Sequence, residues 1–328
     1  MSITGGSCDF PQYYRYHGPA LIISTAINRY IYVIVKERFN SEVGAYYEKS
    51  EIVESASKLN HELIRETADL VGLTHGFDVS IMTDIPTSGS GLGSSSALTV
   101  GLLHAFSVYS GRNVSNQWLA ENACKIEIDL LKKPIGKQDQ YIAAYGGFRA
   151  FSFLKVEHDY DIDEVVPLKI NLSNNLKREL ESNLMLYFTN NTRNASDILT
   201  EQKNNIKDKL LELDKINDIS RNLYKELVIH CTIDNVGDAL LNSWNVKKQL
   251  ASNINNSEIE TILGKAMNAG ATGGKVSGAG GGGFVLVFCK PESQSAVRKT
   301  LSDYYEFPFR FEEHGSKIIL NLPIQTIK

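Results

Sequence analysis

The chain has 328 residues, of which 42% are hydrophobic and 22% are charged. This size and composition predict a globular protein of about two domains. The formal net charge of −4 at pH 7 offers no broad attraction to nucleic acid or to an anionic membrane, and we expect neither as the main partner. The sequence contains no run of about 18 apolar residues and no signal-peptide pattern, which favours a cytoplasmic protein.

The cysteines indicate a reducing compartment. Cys8, Cys124, Cys231 and Cys289 are far apart in the sequence, and they form no C-x-x-C pair. No histidine stands beside them at metal-ligand spacing. We therefore expect buried, reduced thiols.

Predicted strands and helices are mixed along the chain. β-Branched and aromatic residues favour strands, whereas apolar residues three or four positions apart favour helices. The predicted strands span residues 19–27, 30–36, 77–82, 148–153, 184–188 and 284–288. The predicted helices span residues 51–71, 95–106, 115–130 and 293–305, and a helical pattern with polar breaks at Asp214, Asp218 and Asn253 covers about 196–270. This mixture in two halves predicts an α+β fold.

The first functional cluster is PTSGSGLGSSSA at residues 86–97. Alternate glycines remove Cβ atoms from a turn, the serines after them can cap a helix, and a helix N-terminus offers free N–H groups to an anion. The cluster matches neither the P-loop pattern nor the dinucleotide fingerprint, which would need glycine where Ser94 stands. It predicts a phosphate-binding loop, with an ordinary tight turn as the alternative.

Two carboxylates follow this loop. Glu127 lies near the end of a predicted helix, and Asp139 lies in the segment PIGKQDQYIAAYGGF at residues 134–148. Phosphoryl transfer needs a carboxylate that accepts a hydroxyl proton, and a magnesium site needs a carboxylate beside hydroxyl or phosphate oxygens. Glu127 and Asp139 could divide these roles. Otherwise Asp139 is a helix cap and Glu127 a solvated helix residue.

The third cluster is GGKVSGAGGGGF at residues 273–284. Such a glycine density costs backbone entropy, which favours a close approach of main chain to a ligand or to another loop; a flexible connection is the alternative. Part of the cluster matches G-x-G-x-x-G, but a strand pattern rather than a helix follows it at residues 284–288. The sequence therefore argues against NAD binding there.

In this order, the three clusters resemble those of the GHMP kinases, the superfamily of galactokinase, homoserine kinase, mevalonate kinase and phosphomevalonate kinase. The segment SITGGSCDFPQYY at residues 2–14 is similar to the first motif of the branch that acts on the anomeric carbon of sugars. The resemblance implies a two-domain α+β fold. We expect an N-terminal mixed β/α domain at 1–175 that binds ATP and phosphate, and a C-terminal ferredoxin-like α+β domain at 176–328 that carries the glycine-rich loop.

Within that branch, residues 136–148 and 187–199 are similar to the kinases of D-glycero-D-manno-heptose 7-phosphate. The resemblance implies transfer of the γ-phosphate of ATP to the C1 hydroxyl, which gives a 1,7-bisphosphate for nucleotide-activated heptose and surface polysaccharide. ATP and Mg²⁺ are the implied cofactors, and a homodimer is left open. The alternatives are a C1 kinase of an unphosphorylated sugar such as fucose or galactose, and a non-catalytic sugar or nucleotide sensor.

The resemblance also implies roles for single residues. Asp139 matches the catalytic aspartate that contacts the sugar hydroxyl, and Ser95 and Glu127 match the metal ligands. The residues expected around the ATP phosphates are Pro86, Ser88, Gly89, Ser90, Gly91, Leu92, Gly93, Ser94, Ser95 and Ser96. The residues expected to line the site from the third cluster are Ser277, Gly278, Ala279, Gly280 and Gly281.

Sugar contacts are implied for Gly5, Gly6 and Asp9. We expect Arg193 to clamp the substrate phosphate, because a planar guanidinium suits a bidentate phosphate contact; a surface ion pair is the alternative.

The chain departs from the family pattern near its beginning. In the family, an arginine or lysine immediately before the position of Met1 lies close to the catalytic aspartate, where positive charge stabilises transfer. Position 7 is Ser rather than Gly, and Cys8 replaces the usual Thr. Either the true start lies upstream, or this form lacks a strand and a catalytic cation.

Overall fold

Helices and strands intermix through the part of the chain that the computed structural model describes, residues 1–85, 89–156, 163–189 and 195–322. The strands are β1 (Ser2–Thr4), β2 (Ala20–Thr25), β3 (Ile31–Glu37), β4 (Val43–Tyr46), β5 (Ser50–Val53), β6 (Phe77–Thr83), β7 (Phe148–Lys155), β8 (Asp163–Lys169), β9 (Leu184–Phe188), β10 (Gly273–Val276) and β11 (Phe284–Phe288). The helices are α1 (Pro11–His17), α2 (Glu62–Val71), α3 (Ser94–Tyr109), α4 (Asn116–Cys124), α5 (Gln138–Tyr145), α6 (Asn174–Asn183), α7 (Ala195–Asn205), α8 (Leu210–Lys225), α9 (Val236–Lys247), α10 (Ser257–Asn268) and α11 (Pro291–Thr300).

The described strands form three sheets. One has the order β1-β2-β7-β8 with antiparallel pairs, and another has the order β3-β6-β4-β5, in which β4 and β6 run parallel. The third sheet, β10-β11-β9, is antiparallel and lies in the C-terminal half. Helix α3 packs against β3, α2 and α5, so its N-terminus is held among elements of the N-terminal half.

Buried apolar side chains join the two halves. One core cluster includes Ile3 and Ile23 of the N-terminal half together with Leu186, Leu240 and Leu286 of the C-terminal half. The chain after α11 returns to the N-terminal half, where Gly147 N donates to Glu312 O at 2.8 Å and Ser316 N donates to Ala143 O at 3.0 Å. The elements around the first and third clusters therefore share one packed core.

The predicted helix at 51–71 is wrong in its first half. Residues 50–53 form β5, which pairs with β4 from Tyr46 and Ser50 to Val43 and Val53. The helix begins only at Glu62, after His61, whose Nδ1 accepts a hydrogen bond from Ile64 N. Cross-strand pairing outweighed a helical spacing that was coincidental in this segment.

Other predicted elements differ in their limits. Asp214 and Asp218 lie inside α8 and do not interrupt it, whereas Asn253 lies between α9 and α10 as expected. The last predicted helix begins earlier, with Pro291 at its first position. Proline is tolerated there because the N–H group of the first helical residue has no partner within the helix. The strands β1, β4, β8 and β10 and the helices α1, α5 and α6 were not among the predicted elements.

Two expectations from composition can be compared with the structure. No described helix is long and apolar enough to span a membrane. Cys8, Cys124 and Cys289 are free and buried, but Cys231 is exposed, so the expectation of buried thiols is wrong for that residue.

Candidate active site

The first glycine cluster leads directly into helix α3. Gly89, Gly91 and Gly93 have φ values of 70°, 70° and 76°, a region that residues with a Cβ atom rarely adopt. Gly93 occupies the N-cap position without a side-chain cap, so the expected serine capping is wrong, and the serines lie in the first helical turn. Ser90 Oγ and Ser94 Oγ are 3.0 Å apart and hydrogen-bonded. The start of an α-helix directs backbone N–H groups and the positive end of the helix dipole toward an anion.

The third glycine cluster packs against this loop through backbone atoms. An ideal Cβ atom on Gly91 would lie 2.5 Å from Ser277 O, and one on Gly278 would lie 2.6 Å from Gly91 Cα. A Cβ atom on Gly283 would lie 2.6 Å from Ser90 O. The glycines therefore permit a contact between two loops that side chains would prevent.

Not every predicted residue of the third cluster faces the phosphate loop. Gly281 N donates to Ile254 O at 2.7 Å, and a Cβ atom on Gly280 would meet the same carbonyl oxygen. Ala279 O accepts a hydrogen bond from Gln202 Nε2 at 3.1 Å. Thus Ser277 and Gly278 contact the predicted phosphate loop at Gly91, whereas Ala279, Gly280 and Gly281 contact the neighbouring C-terminal segments.

Asp139 lies beside the start of α3. It occupies the first turn of α5, and an ideal Cβ atom on Gly93 would lie 3.1 Å from Asp139 Cγ. The N-cap position of α5 is Lys137, so the alternative in which Asp139 caps its own helix is wrong. Asp9 Oδ2 instead accepts a hydrogen bond from Gln138 N at 2.9 Å, which satisfies one free N–H group of α5.

Glu127 also lies next to the α3 N-terminus, in a π-helical turn at Lys125–Leu130 that continues α4. It is fully buried, so the alternative of a solvated helix residue is wrong. Its Oε1 accepts a hydrogen bond from Ser95 Oγ at 2.5 Å, and its Oε2 accepts one from Gln140 Nε2 at 2.8 Å. The structure therefore brings the two predicted metal ligands into direct contact.

Two of the predicted sugar-contacting residues, Gly5 and Gly6, line a small cavity of about 10 Å³. Its lining residues are Gly5, Gly6, Ile216, Ser243, Trp244, Lys247 and Lys275. Ser243 Oγ and Trp244 Nε1 are buried and have no hydrogen-bond partner in the described part of the chain. The cavity has room for about one water molecule beside these polar groups.

Two buried lysines of this cavity were not predicted as site residues. Lys247 Nζ donates to Gly278 O at 2.6 Å, and Lys275 Nζ donates to Ser2 O at 3.0 Å and to Ile3 O at 3.3 Å. Burial lowers the pKa of both ammonium groups, and the nearby carboxylate of Asp139 partly opposes this. Lys275 stood within the third cluster without an assigned role, whereas no sequence signal marked Lys247.

The backbone conformation at Ser7 is one that favours glycine, the residue that the family pattern has at this position. Its φ is 79°, in the left-handed region that disfavours side chains. The side chain is buried and its Oγ donates to Gln202 Oε1 at 2.9 Å. This contact links the first motif to α7.

Three predicted site residues, Pro86, Ser88 and Arg193, lie outside the described residues.

Burial raises the pKa of Asp9 to about 6, with Asp139 acting in the same direction and the Gln138 hydrogen bond opposing. A carboxyl group whose pKa is higher in the folded state than in the unfolded state binds its proton more tightly when the protein is folded. The stabilisation that this proton provides is complete below the unfolded pKa, and it is lost as pH rises through the folded pKa. Asp9→Asn keeps an acceptor for Gln138 N–H but cannot ionise. We expect the free energy of unfolding of Asp9→Asn, relative to wild type, to rise by up to about 3 kcal/mol between pH 4 and pH 7.

Urea unfolding of both proteins at several pH values measures this difference. A difference between the two proteins that stays constant over that range would contradict the assignment of a buried, proton-binding carboxyl group to Asp9.

The chain is similar to known proteins over nearly its whole length. Residues 51–147 match the GHMP kinases N terminal domain, and residues 225–306 match the GHMP kinases C terminal domain. A D-glycero-alpha-D-manno-heptose 7-phosphate kinase of Campylobacter jejuni is 30% identical, over 97% of this chain and 96% of that protein. The crystal structure of a D-glycero-D-manno-heptose 1-phosphate kinase from Bacteroides thetaiotaomicron is 26% identical, with a TM-score of 0.76, covering 96% of this chain and 94% of that one.

The crystal structure of a galactokinase from Lactococcus lactis in complex with galactose has the same fold, with a TM-score of 0.70. It is 18% identical to this chain, and the match covers 96% of this chain and 91% of the galactokinase chain. The chain belongs to the GHMP kinases. It is therefore a phosphotransferase with an alcohol group as acceptor, and ATP is its phosphate donor. Its relatives support a place among the sugar kinases of the superfamily.

Proposed function

We propose that this kinase transfers the γ-phosphate of ATP to the C1 hydroxyl of D-glycero-D-manno-heptose 7-phosphate, which yields ADP and the 1,7-bisphosphate. The product would supply nucleotide-activated heptose for surface polysaccharide. The observation that carries the proposal is the position of Asp139 against Gly93, at the junction of the phosphate loop and α3. The heptose is supported by the 30% identity to a heptose 7-phosphate kinase over nearly the whole chain.

In the proposed reaction, the C1 oxygen bonds to the γ-phosphorus while the bond from that phosphorus to the β–γ bridging oxygen breaks. Asp139 orients the hydroxyl group and accepts its proton. The loop from Gly89 to Ser96 and the α3 N-terminus would bind the ATP phosphates through backbone N–H groups. Pro86 and Ser88 stay predictions.

Mg²⁺ fits the pair formed by Ser95 and Glu127. This ion is commonly held by one or two carboxylates together with substrate phosphates, and the two side-chain oxygens lie 2.5 Å apart beside the phosphate loop. When bound there, the ion would neutralise charge on the phosphates. Ser95 and Glu127 would hold it, and Gln140 would orient the Glu127 carboxylate.

The acceptor sugar is proposed to bind on the opposite side of Asp139. Gly5 and Gly6 would contact it through their backbone, and Asp9 and Lys247 lie close enough to each other for their charges to interact. An ammonium group has three N–H donors, so Lys247 keeps donors for acceptor oxygens beside its bond to Gly278 O. Arg193 stays the proposed clamp for the substrate phosphate.

A coupled ADP-release assay over a panel of acceptors tests the proposal. The panel contains D-glycero-D-manno-heptose 7-phosphate, heptose 1-phosphate, galactose and fucose, with ³¹P NMR of each product. We expect the highest kcat/KM for the 7-phosphate and a new anomeric phosphate signal. We also expect Arg193→Ala to raise the KM of that acceptor, because the clamp contacts its phosphate.

The other results identify the alternatives. A preference for free fucose or galactose, with an unchanged KM in Arg193→Ala, would favour a kinase of unphosphorylated sugars. A preference for heptose 1-phosphate would place the acceptor hydroxyl at another carbon. The absence of ADP release with every acceptor, despite nucleotide binding, would favour a sugar or nucleotide sensor.

A further inference from the structure

Lys133 lies where a cation would contact both predicted metal ligands. Its Nζ is 3.1 Å from Ser95 Oγ and 3.6 Å from Glu127 Oε1. The lysine follows the π-helical turn that carries Glu127, and its backbone N–H donates to Glu127 O at 2.9 Å. The backbone that positions Glu127 thus also positions this ammonium group.

The charge of Glu127 requires a partner at this place. Its side chain is 0% exposed, and its hydrogen-bond donors Ser95 and Gln140 are neutral. A buried carboxylate without a compensating cation is costly. Within the described ranges, Lys133 is the cation that forms an ion pair with Glu127.

Lys133 also has a second partner toward solvent. Its Nζ is 3.2 Å from Glu62 Oε1, and the Glu62 side chain is 50% exposed. Glu62 is the first residue of α2, which packs against the π-helical turn. A lysine ammonium on a flexible stem can move between such partners and keep one ion pair throughout.

A magnesium ion and this ammonium group compete for the same oxygens. Mg²⁺ requires ligand oxygens at about 2.1 Å, and two adjacent cations repel each other strongly at a buried site. We infer that Lys133 is an exchangeable placeholder, which holds the metal position in the nucleotide-free protein and moves toward Glu62 when Mg²⁺ enters with ATP. This inference rests on the proposed function, because it assumes that the metal binds Ser95 and Glu127.

The placeholder makes metal binding depend on the nucleotide. In the free protein, the ammonium group satisfies Glu127 and lowers the affinity for a bare divalent cation. The phosphates of ATP then supply the additional charge that shifts the exchange toward the metal. Removing the lysine should therefore strengthen metal binding, whereas removing Glu62 should weaken it, since the displaced ammonium group loses its other partner.

Three variants test this exchange: Lys133→Met, Glu62→Gln and the matched control Lys132→Met, which removes an exposed lysine one position away. Mn²⁺ binding is measured by electron paramagnetic resonance, with and without a non-hydrolysable ATP analogue. We expect Lys133→Met to bind Mn²⁺ roughly threefold to tenfold more tightly, as expected when one competing ion pair is removed. Glu62→Gln should bind it more weakly, and Lys132→Met should match wild type.

Thermal unfolding in a chelator gives a readout that needs no nucleotide. We expect a lower midpoint for Lys133→Met than for Lys132→Met, because Glu127 loses its counter-charge, and we expect Mg²⁺ to raise that midpoint more than the wild-type midpoint. If Lys133→Met is too unstable to measure, Glu62→Gln still reports the exchange through its weaker metal binding.

Unchanged or weaker Mn²⁺ binding by Lys133→Met would overturn the inference, as would tighter binding by Glu62→Gln. Failure of the proposed function looks different, because the wild-type protein would then bind no ATP analogue or would release no ADP with any sugar. In that case the titration with Mn²⁺ alone tests the inference. Lys133→Met must then bind Mn²⁺ more tightly than wild type, and Glu62→Gln must bind it more weakly.

Discussion

Replacing Asp139 by asparagine is expected to lower kcat by roughly 10²- to 10⁴-fold, the range typical for loss of a positioned general base. Asparagine keeps the shape of the side chain beside Gly93 but cannot accept the proton of the C1 hydroxyl. We therefore expect little change in ATP affinity. Steady-state kinetics with the best acceptor, together with calorimetry of ATP-analogue binding, separate the two effects.

Asp129→Asn is the matched control for this variant. Asp129 lies in the same π-helical turn as Glu127 but is exposed, so its replacement should leave kcat unchanged. Full activity in Asp139→Asn would refute the proposed base. An equal loss in Asp129→Asn would show that the effect of Asp139→Asn is not specific to the site.

Replacing Gly91 by alanine is expected to lower kcat/KM for ATP by roughly 10²-fold. The new Cβ atom would lie 2.5 Å from Ser277 O and 3.0 Å from its carbonyl carbon, and neither backbone atom can move without shifting the third glycine cluster. A displacement of about 1 Å in a positioning element can produce a loss of this size. ATP-dependent kinetics and the affinity for an ATP analogue measure the loss.

Gly111→Ala separates this clash from backbone strain. Gly111 has φ +76° against +70° for Gly91, but an added Cβ atom on Gly111 would meet nothing within 4 Å. Both variants should lose stability of about 1 kcal/mol from the left-handed backbone. Only Gly91→Ala should also lose ATP-dependent activity, and equal activity in the two variants would argue against a functional contact between the loops.

Local patterns in the sequence predicted several elements of the site because each depends on adjacent residues. Alternate glycines before a helix indicated the turn at Gly89, Gly91 and Gly93, and their left-handed backbone agrees with that prediction. The strand at Phe284–Phe288 after the third cluster was predicted from its apolar run, and this excluded a dinucleotide fingerprint. The order of the three clusters was sufficient to indicate the kinase family.

Contacts between distant segments could not be predicted in the same way. No motif in the sequence marked Lys133 or Lys247 as a site residue, yet they lie against Ser95 and Gly278, which are 38 and 31 positions away. The early strand β5 was also missed, because its pairing with β4 is a contact that helical spacing does not represent. Such choices depend on which surfaces meet when the chain packs.

The sequence by itself determined the family, the glycine turn before α3 and the types of side chain that the proposed chemistry needs, because these follow from local backbone freedom and motif order. Only the tertiary structure decided how the groups meet: Glu127 is buried against Ser95, Asp139 lies at Gly93, and Lys133 lies beside the two proposed metal ligands. The physical reason is that burial and charge compensation act between segments far apart in the chain. They take effect only when the two halves pack on one core.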